Sequence, residues 1–101
     1  MASRLNLQTK LEELLGTTNV YYQPPVNTIM KYDAIRYKLS KKESRFADDI
    51  RYKSMNCYDV IVISRLPDPP VVDKILELPY SSWNRYYVSD NLNHYSITLY
   101  F

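Results

Sequence analysis

The side chains in this sequence that could do acid–base, nucleophilic or metal chemistry are few and scattered. His94 is the only histidine and Cys57 is the only cysteine. A catalytic or metal-binding histidine needs acids or thiolates converging on it, and no motif places Asp33 or Asp90 beside His94. A cysteine inside a strand, without a neighbouring base, behaves as a small apolar side chain. We therefore predict no catalytic site, no metal and no cofactor, and expect a protein that is not an enzyme.

Sequence patterns for nucleotide binding and hydrolysis are missing as well. Gly16 is the single glycine, so the chain has no glycine-rich loop that could hold a phosphate. No serine stands in a GxSxG or SxxK pattern, and no HExxH, CxxC or EF-hand pattern occurs. Because the charge is only +2 and the basic residues are mixed with nearly as many acids, a duplex-binding surface is not expected either.

The composition is typical of a small globular protein with one unusual excess. A chain of 101 residues predicts one domain, residues 1–101, with one modest core. No apolar run approaches the roughly 18 residues of a membrane span, so no membrane association is expected. Eleven tyrosines are a large excess. Tyrosine suits half-exposed sheet faces and protein interfaces, and the two explanations stay open here.

Hydrophobic periodicity predicts the elements. Leucines at helical spacing predict a helix over residues 4–15 that ends at Gly16. Strands are predicted over residues 19–22, 32–40 and 52–65, and the apolar run 60–63 marks the last of these as the centre of the sheet. Asp68 is a candidate N-cap for a short helix over residues 71–78, with Pro69 in its first turn.

The last nineteen residues predict a C-terminal β-hairpin. Asp90 and Asn91 tolerate the left-handed backbone of a tight turn. The strand after the turn alternates with period two. Its apolar face is Tyr95, Ile97, Leu99 and Phe101, and its more polar face is His94, Ser96, Thr98 and Tyr100. The fold class that follows is α+β: an antiparallel sheet of four or five strands, with an N-terminal helix and a short second helix packed on one face.

Two stretches are candidate partner or oligomer interfaces. Residues 41–51 are the most charged part of the chain, and form either a solvated hairpin loop or an arm that reaches a neighbouring subunit. In the second interpretation Phe46 anchors the arm, while Arg45, Asp48 and Asp49 make charge pairs. The polar face of the hairpin is the other candidate surface, and its proposed contact residues are Arg85, Tyr87, His94 and Tyr100.

A single-stranded nucleic-acid interface has one pattern in its favour. Tyrosines stand between basic residues at 36–38 and 51–53, and such tyrosines can stack on bases. However, Tyr37 shares its strand face with Ile35 and Leu39, which places it with the core. We therefore expect no specific nucleic-acid binding.

The chain also resembles a known family, through the stretches LEELLGTTNVYYQPP, KYDAIRYKLS, FADDIRYKSMNCYDVIVISRLPD and ILELPYSSWNRYYVSDNLNHYSITLYF. These resemble the tail-terminator or tail-completion proteins of long-tailed, siphovirus-type phages and prophages of Gram-positive bacteria. The likeness covers nearly the whole chain. It rests on spacing and overall pattern and includes no chemical motif. One departure is Tyr32-Asp33, where the family usually has Tyr-Pro.

The resemblance implies a structural virion protein of the tail and neck, assembled in the host cytoplasm. Its subunits would form a homo-oligomeric ring, usually a hexamer, on the head-proximal end of the tail tube. The ring would stop tube polymerisation and join the tail to the head–tail connector or stopper protein, and its lumen would lie on the DNA path. Two alternatives stay open: a head-closure or stopper protein of the same neck, which implies a small β-barrel, and a single-stranded nucleic-acid-binding module.

The arm hypothesis makes a first prediction. If Phe46 anchors a contact between subunits, Phe46→Ala should weaken the ring, because truncating a buried aromatic anchor typically costs more than about 1 kcal/mol of binding free energy. Sedimentation or mass photometry of the wild type and the variant measures this. A ring as stable as that of the wild type would rule out Phe46 as an anchor.

Overall fold

A computed structural model describes residues 4–25, 28–44 and 55–101, and in these ranges the chain forms two helices and five strands. In chain order they are α1 (Arg4–Leu15), β1 (Val20–Tyr22), β2 (Ala34–Ser44), β3 (Met55–Ser64), α2 (Pro70–Leu76), β4 (Ser81–Ser89) and β5 (Leu92–Tyr100). The predicted helix over residues 4–15 is confirmed. The predicted α+β class, with a short second helix and a C-terminal hairpin, is confirmed as well.

The five strands form one sheet in the order β1-β2-β3-β5-β4. Four strands alternate in direction, but β1 runs parallel to β2, with Val20 opposite Ile35 and Tyr22 opposite Tyr37. The prediction of a purely antiparallel sheet was therefore wrong. The chain between β1 and β2 returns to the end of the sheet from which β1 started, so the next strand runs in the same direction.

Strand β2 extends past its neighbour β1. The sequence placed its end at residue 40, but pairing with β3 continues to Ser44, which lies opposite Met55. Leu39 is opposite Tyr58 and Lys41 is opposite Cys57, so Ser40 is an extra residue that forms a bulge. The four predicted arm residues Arg45, Phe46, Asp48 and Asp49 follow this strand and lie outside the described residues.

The core lies between the helices and one face of the sheet. Val60 and Val62 of β3 are fully buried, as the apolar run 60–63 predicted, while Ile61 on the other face is only half-buried. Ile97 and Leu99 of β5 lie on the core face, and the buried residues that the helices contribute are Leu7, Leu11, Val71, Val72 and Ile75. At about 25 cal/mol per Å² of apolar area, burying each of these side chains contributes roughly 1.5–3 kcal/mol.

The ends of the helices agree only partly with the sequence. Gly16 ends α1 with a φ of 88°, and its N–H donates to the Glu12 carbonyl at 2.9 Å. Asp68 is not the N-cap of α2, so that prediction was wrong. Pro69 holds the position without a side-chain hydrogen bond, and Pro70 begins the helix. Asp68 instead takes a φ of 49°, and its N–H donates to the Tyr95 hydroxyl at 3.0 Å.

The C-terminal hairpin forms at the predicted turn. Asp90 has a φ of 54° and Asn91 has a φ of 63°, the left-handed pair that a two-residue hairpin turn requires. Both strands begin earlier than predicted, at Ser81 and Leu92. The predicted apolar face of β5 is confirmed, because Tyr95, Ile97 and Leu99 are buried in the core.

One polar group is built into this core. Tyr37 is 1% exposed, and its hydroxyl donates to Gln8 Oε1 at 2.6 Å while accepting a 3.3 Å hydrogen bond from Arg4 Nη1. Burial raises the pKa of Tyr37 above its ordinary value of 10.0, although the Arg4 side chain opposes this. The Tyr37 hydroxyl thus ties α1 to β2 in its protonated form.

Tyr37→Phe should destabilise the fold by about 1 kcal/mol at pH 7, the usual net value of a buried hydrogen bond. Because the folded protein holds the Tyr37 proton more tightly than the unfolded chain, this contribution is complete below pH 10. It is lost as the pH rises through the raised pKa. The wild type should therefore lose stability at alkaline pH more steeply than Tyr37→Phe.

Urea unfolding at neutral and alkaline pH measures both effects. Tyr86→Phe is the matched control, since it removes an exposed hydroxyl that donates to Asn93 Oδ1 at 2.7 Å. If Tyr37→Phe and Tyr86→Phe lowered the free energy of unfolding equally, the buried hydrogen bond between α1 and β2 would contribute no more than an exposed one.

Candidate interaction surface

The face of the sheet opposite the core, here called the second face, carries most of the polar strand residues. These residues alternate along each strand with the core residues. Register places Arg36, Ile61, Ser96 and Arg85 in one row across the four strands, and Lys38, Asp59, Thr98 and Ser82 in the next row. A third row is Ala34, Ile63, His94 and Tyr87.

Three of the predicted interface residues form one stack on the second face. The rings of Tyr87 and His94 are stacked with centroids 4.8 Å apart, and Arg85 Cζ lies 4.6 Å from the Tyr87 centroid. His94 is 8% exposed, and its Nδ1 lies 3.0 Å from the Leu92 carbonyl oxygen. Arg85 and Tyr87 are therefore accessible to a partner protein, whereas the buried His94 ring packs against the Tyr87 ring. This is a positioning role, and it fits the backbone hydrogen bond of His94.

Tyr100, the fourth predicted residue of the hairpin, lies apart from this stack. It is the register partner of Cys57 at the other end of β5. The electrostatic interaction with Cys57, followed by a hydrogen bond between the two side chains, raises the pKa of Tyr100 above its usual value. Cys57 itself is buried. Of this pair only Tyr100 is partly exposed, so its hydroxyl is the group that a partner could reach.

The positive charge of the second face concentrates next to a shallow cleft. Arg36 and Lys38 line a cleft of about 510 Å³ together with Gln23, Asp59 and Ile61. Lys38 lies directly opposite the acidic Asp59 on β3, whereas Arg36 lies opposite the apolar Ile61. Arg36 therefore has no acidic residue as its register partner on β3. The cleft can attract an acidic group of a partner. Nothing in its lining is arranged as a nucleophile with a base.

The outermost strand, β4, carries a row of exposed apolar side chains. Trp83 is 50% exposed, Tyr86 is 48% exposed and Val88 is 59% exposed. We call these three residues the β4 edge patch. Trp83 and Tyr86 flank the ring of Tyr95, with centroid distances of 6.4 Å and 5.2 Å. All three side chains lie on the helix side of the sheet, beyond the area that α2 covers.

A groove separates the β4 edge patch from α2. Its volume is about 260 Å³, and it is lined by Trp83, Tyr95, Val72 and Leu76, with Asp68 and Asp73 at its margin. The groove is thus lined by apolar side chains together with two exposed carboxylates. The sequence predicted this strand but not the exposure of its apolar side chains, because the alternation does not reveal that β4 is the last strand of the described sheet.

Comparison with protein-family models, with curated proteins and with solved structures finds no match for this chain. Among the described residues no helix is long and apolar enough to cross a membrane, and no three His, Cys, Asp or Glu side chains are grouped so that they could hold a metal ion. The surface features that the described residues offer to a partner are the β4 edge patch, the adjacent groove and the second face.

Trp83 gives a direct optical test of this surface, because it is the only tryptophan. In the isolated subunit its half-exposed indole should be quenched efficiently by acrylamide. If the β4 edge patch is a contact surface, burial in an assembly should shift the emission to shorter wavelength and reduce quenching. Unchanged quenching on assembly would exclude Trp83 from the contact, and Trp83→Phe supplies the blank.

Proposed function

We propose that this protein is a structural subunit that works by protein contacts alone, forming a ring of the tail-terminator type on the head-proximal end of a phage tail tube. The observation that carries the proposal is the β4 edge patch. Trp83, Tyr86 and Val88 occupy the same side of one exposed strand, so their apolar surfaces are neighbours. The resemblance of the sequence to tail-terminator proteins supplies the type of assembly.

Isolated exposed apolar residues are normal on a protein surface, but a row of them is not. Tryptophan and tyrosine are enriched at interfaces and dominate binding free energies when a partner buries them. Here both aromatics already pack against Tyr95, so their orientation is set before a partner arrives. Pre-ordered side chains lose less conformational entropy on binding.

The asymmetry of the sheet supports a ring over a two-fold dimer. The β4 edge patch is apolar with an acidic groove beside it, whereas Arg36 and Lys38 border the cleft on the β2 side of the sheet. Two different surfaces on one subunit favour a head-to-tail contact. Such contacts form a closed ring when the rotation between neighbours closes.

In the proposed mechanism, one face of the ring binds the last layer of the tail-tube protein and the other presents a new surface. Tube subunits cannot add to that new surface, so polymerisation stops there. The head–tail connector or stopper protein binds it instead. No chemical step is involved, and the specificity of each contact comes from shape and charge.

The two alternatives are supported differently. A head-closure protein of the same neck implies a small β-barrel, and the open five-stranded sheet with both helices packed on it favours the terminator. A single-stranded nucleic-acid binder is favoured by Arg36, Lys38 and Arg85 on one face with Tyr87. Against it, Tyr37 is buried in the core and cannot stack on a base.

The central experiment measures the mass of the purified protein, alone and after mixing with tail-tube protein. We expect a ring-sized particle or a ring formed on the tube, and shorter tubes in electron micrographs as the protein is added. The double variant Trp83→Ser with Tyr86→Ser should weaken assembly at least about tenfold, which corresponds to roughly 1.4 kcal/mol.

Ile29→Ser is the matched control, because it removes an exposed apolar side chain outside β4. A protein that stays monomeric at every concentration and leaves tube length unchanged would refute the ring. Tight oligonucleotide binding that falls steeply with salt and is abolished by Arg36→Gln with Lys38→Gln would establish the nucleic-acid alternative instead.

A further inference from the structure

The acidic residue before α2 has a conformation that helix capping does not explain. Pro69 holds the cap position that the sequence predicted for Asp68, and no side-chain hydrogen bond caps the helix. Asp68 nevertheless has a φ of 49°, a left-handed backbone that is uncommon for residues other than glycine. Its side chain is exposed, and among the described residues no cation pairs with the carboxylate. This carboxylate can therefore bind a group from outside the subunit.

The backbone of Asp68 is held at the groove beside α2. Its N–H donates to the hydroxyl of Tyr95, whose ring lines the groove. The second carboxylate of the groove, Asp73, is exposed in the first turn of α2. That helix is fixed on the sheet by the buried side chains of Val72 and Ile75. Both carboxylates therefore stand on backbone that is already anchored in the subunit.

The walls of the groove are apolar and partly aromatic. Val72 and Leu76 come from α2, while Trp83 comes from β4 and Tyr95 from β5. The Trp83 side chain is 50% exposed, so part of the indole is open to an occupant. A volume of about 260 Å³ is smaller than the roughly 300–1,000 Å³ of sites for whole small molecules. The groove is thus of a size for one long side chain.

Arg85 is the described cation best suited to fill such a groove on another subunit. Its side chain is exposed on the second face, and its Cζ lies 4.6 Å from the Tyr87 ring centroid. The Tyr87 ring in turn stacks on His94. Because the guanidinium is already positioned on an ordered ring, it loses less conformational entropy when it binds.

The other described arginines are less suitable. Arg4 is hydrogen-bonded to the Tyr37 hydroxyl of its own subunit, and Arg36 is half-buried beside the second-face cleft. Arg65 is exposed but stands only three residues before Asp68, close to the groove of its own subunit. It would reach the groove of a second copy in a groove-to-groove pair, which is a two-fold contact and not a ring contact.

We propose that Arg85 of one subunit enters the groove of the next, so that the second face of each β4 packs on the helix side of the neighbouring β4. The guanidinium then lies between the Tyr87 ring of its own subunit and the Trp83 ring of the next, within reach of the two carboxylates. A guanidinium both stacks on aromatic rings and pairs with carboxylates, and the groove offers both groups. The inference deepens the proposed ring and rests on it.

The fold makes this contact a head-to-tail one. Arg85 lies on the second face and the groove lies on the helix side, so the two surfaces are on opposite sides of one subunit. The β4 edge patch is exposed beyond α2, and sheets pack face to face at about 10 Å when no helix separates them. The same two surfaces meet at every contact, and the series closes when the rotation between neighbours closes.

The charges of the two sides are complementary. The three rows of the second face contain three cations and one acid, and residues 68–77 around the groove contain three acids and one cation. Complementary charge accelerates docking and fixes the register of a contact. The charged residues of the second face are Arg36, Lys38, Arg85 and Asp59, and those of residues 68–77 are Asp68, Asp73, Glu77 and Lys74.

The test reverses the two charges separately. Arg85→Glu places an acid against the acidic groove, and Asp73→Lys places a base against Arg85. Each variant alone should need at least about tenfold more protein to assemble, because like charges then meet at every contact. An equimolar mixture should assemble as the wild type does, since each kind of subunit binds the other in alternating order. Particle mass and the emission of Trp83 measure assembly.

Arg65→Glu is the matched control, because it reverses an exposed arginine outside the proposed contact and should assemble as the wild type does. Loss of assembly in Arg65→Glu but not in Arg85→Glu would show a groove-to-groove pair and overturn the proposal. Normal assembly of Arg85→Glu, or no recovery in the mixture, would refute the charge pairing and leave the ring proposal standing. A wild type that never assembles, with or without tube protein, would refute the ring and this contact together.

The double variant Asp68→Asn with Asp73→Asn guards against misfolding of the charge-reversal variants. Asparagine tolerates the left-handed backbone of residue 68 and has nearly the shape of aspartate. The urea midpoint should therefore stay close to that of the wild type, while assembly weakens. If this variant folds and assembles as the wild type does, the carboxylates of the groove are not part of the contact.

Discussion

The structure depends on β3 being paired on both sides and packed on its helix side. Val60 and Val62 are fully buried beneath the helices, while β2 and β5 take up the backbone hydrogen bonds on either side. Neither helix could persist without this support, because α2 has only seven residues and α1 only twelve. The helices stay in place because their leucines, valines and isoleucine fill the layer above β3 and β5. The surfaces on which the proposed function rests lie at the periphery of this arrangement.

The position of β4 follows from the same constraint. Strand β5 takes the place next to β3, and the two-residue turn then leaves β4 on the outside. An outer strand has one unpaired backbone edge and side chains that the helices only partly cover. Trp83, Tyr86 and Val88 are therefore exposed although their sequence pattern is that of an ordinary strand. Covering such a surface with another protein lowers the free energy, because apolar area is removed from water. This is the physical basis for proposing assembly as the function.

On the second face, structural contacts hold the polar side chains in place. The ring of Tyr87 stacks on His94, and Nδ1 of His94 lies within hydrogen-bond distance of the Leu92 carbonyl oxygen. The one histidine of the chain therefore helps to orient an aromatic ring. Arg85 lies over that ring and keeps its charge at the surface. Cys57 and Tyr100 contact each other at the far end of β5. Each candidate for chemistry that the sequence offered in this region thus has a structural partner.

The sequence alone determined which residues share a face, where the hairpin turns and where α1 ends, because these depend on neighbours a few residues apart. Alternation placed Tyr37, Ile97 and Leu99 in the core, and Asp90-Asn91 and Gly16 take the left-handed backbone their residue types favour. Only the tertiary structure decided that β1 runs parallel to β2, that Pro69 replaces Asp68 as the cap of α2, and that β4 is the outermost strand. These outcomes depend on which distant segments pair. Period-two patterns are the same in central and edge strands, so the exposed surface of β4, which we propose as a contact surface, could not be predicted from them.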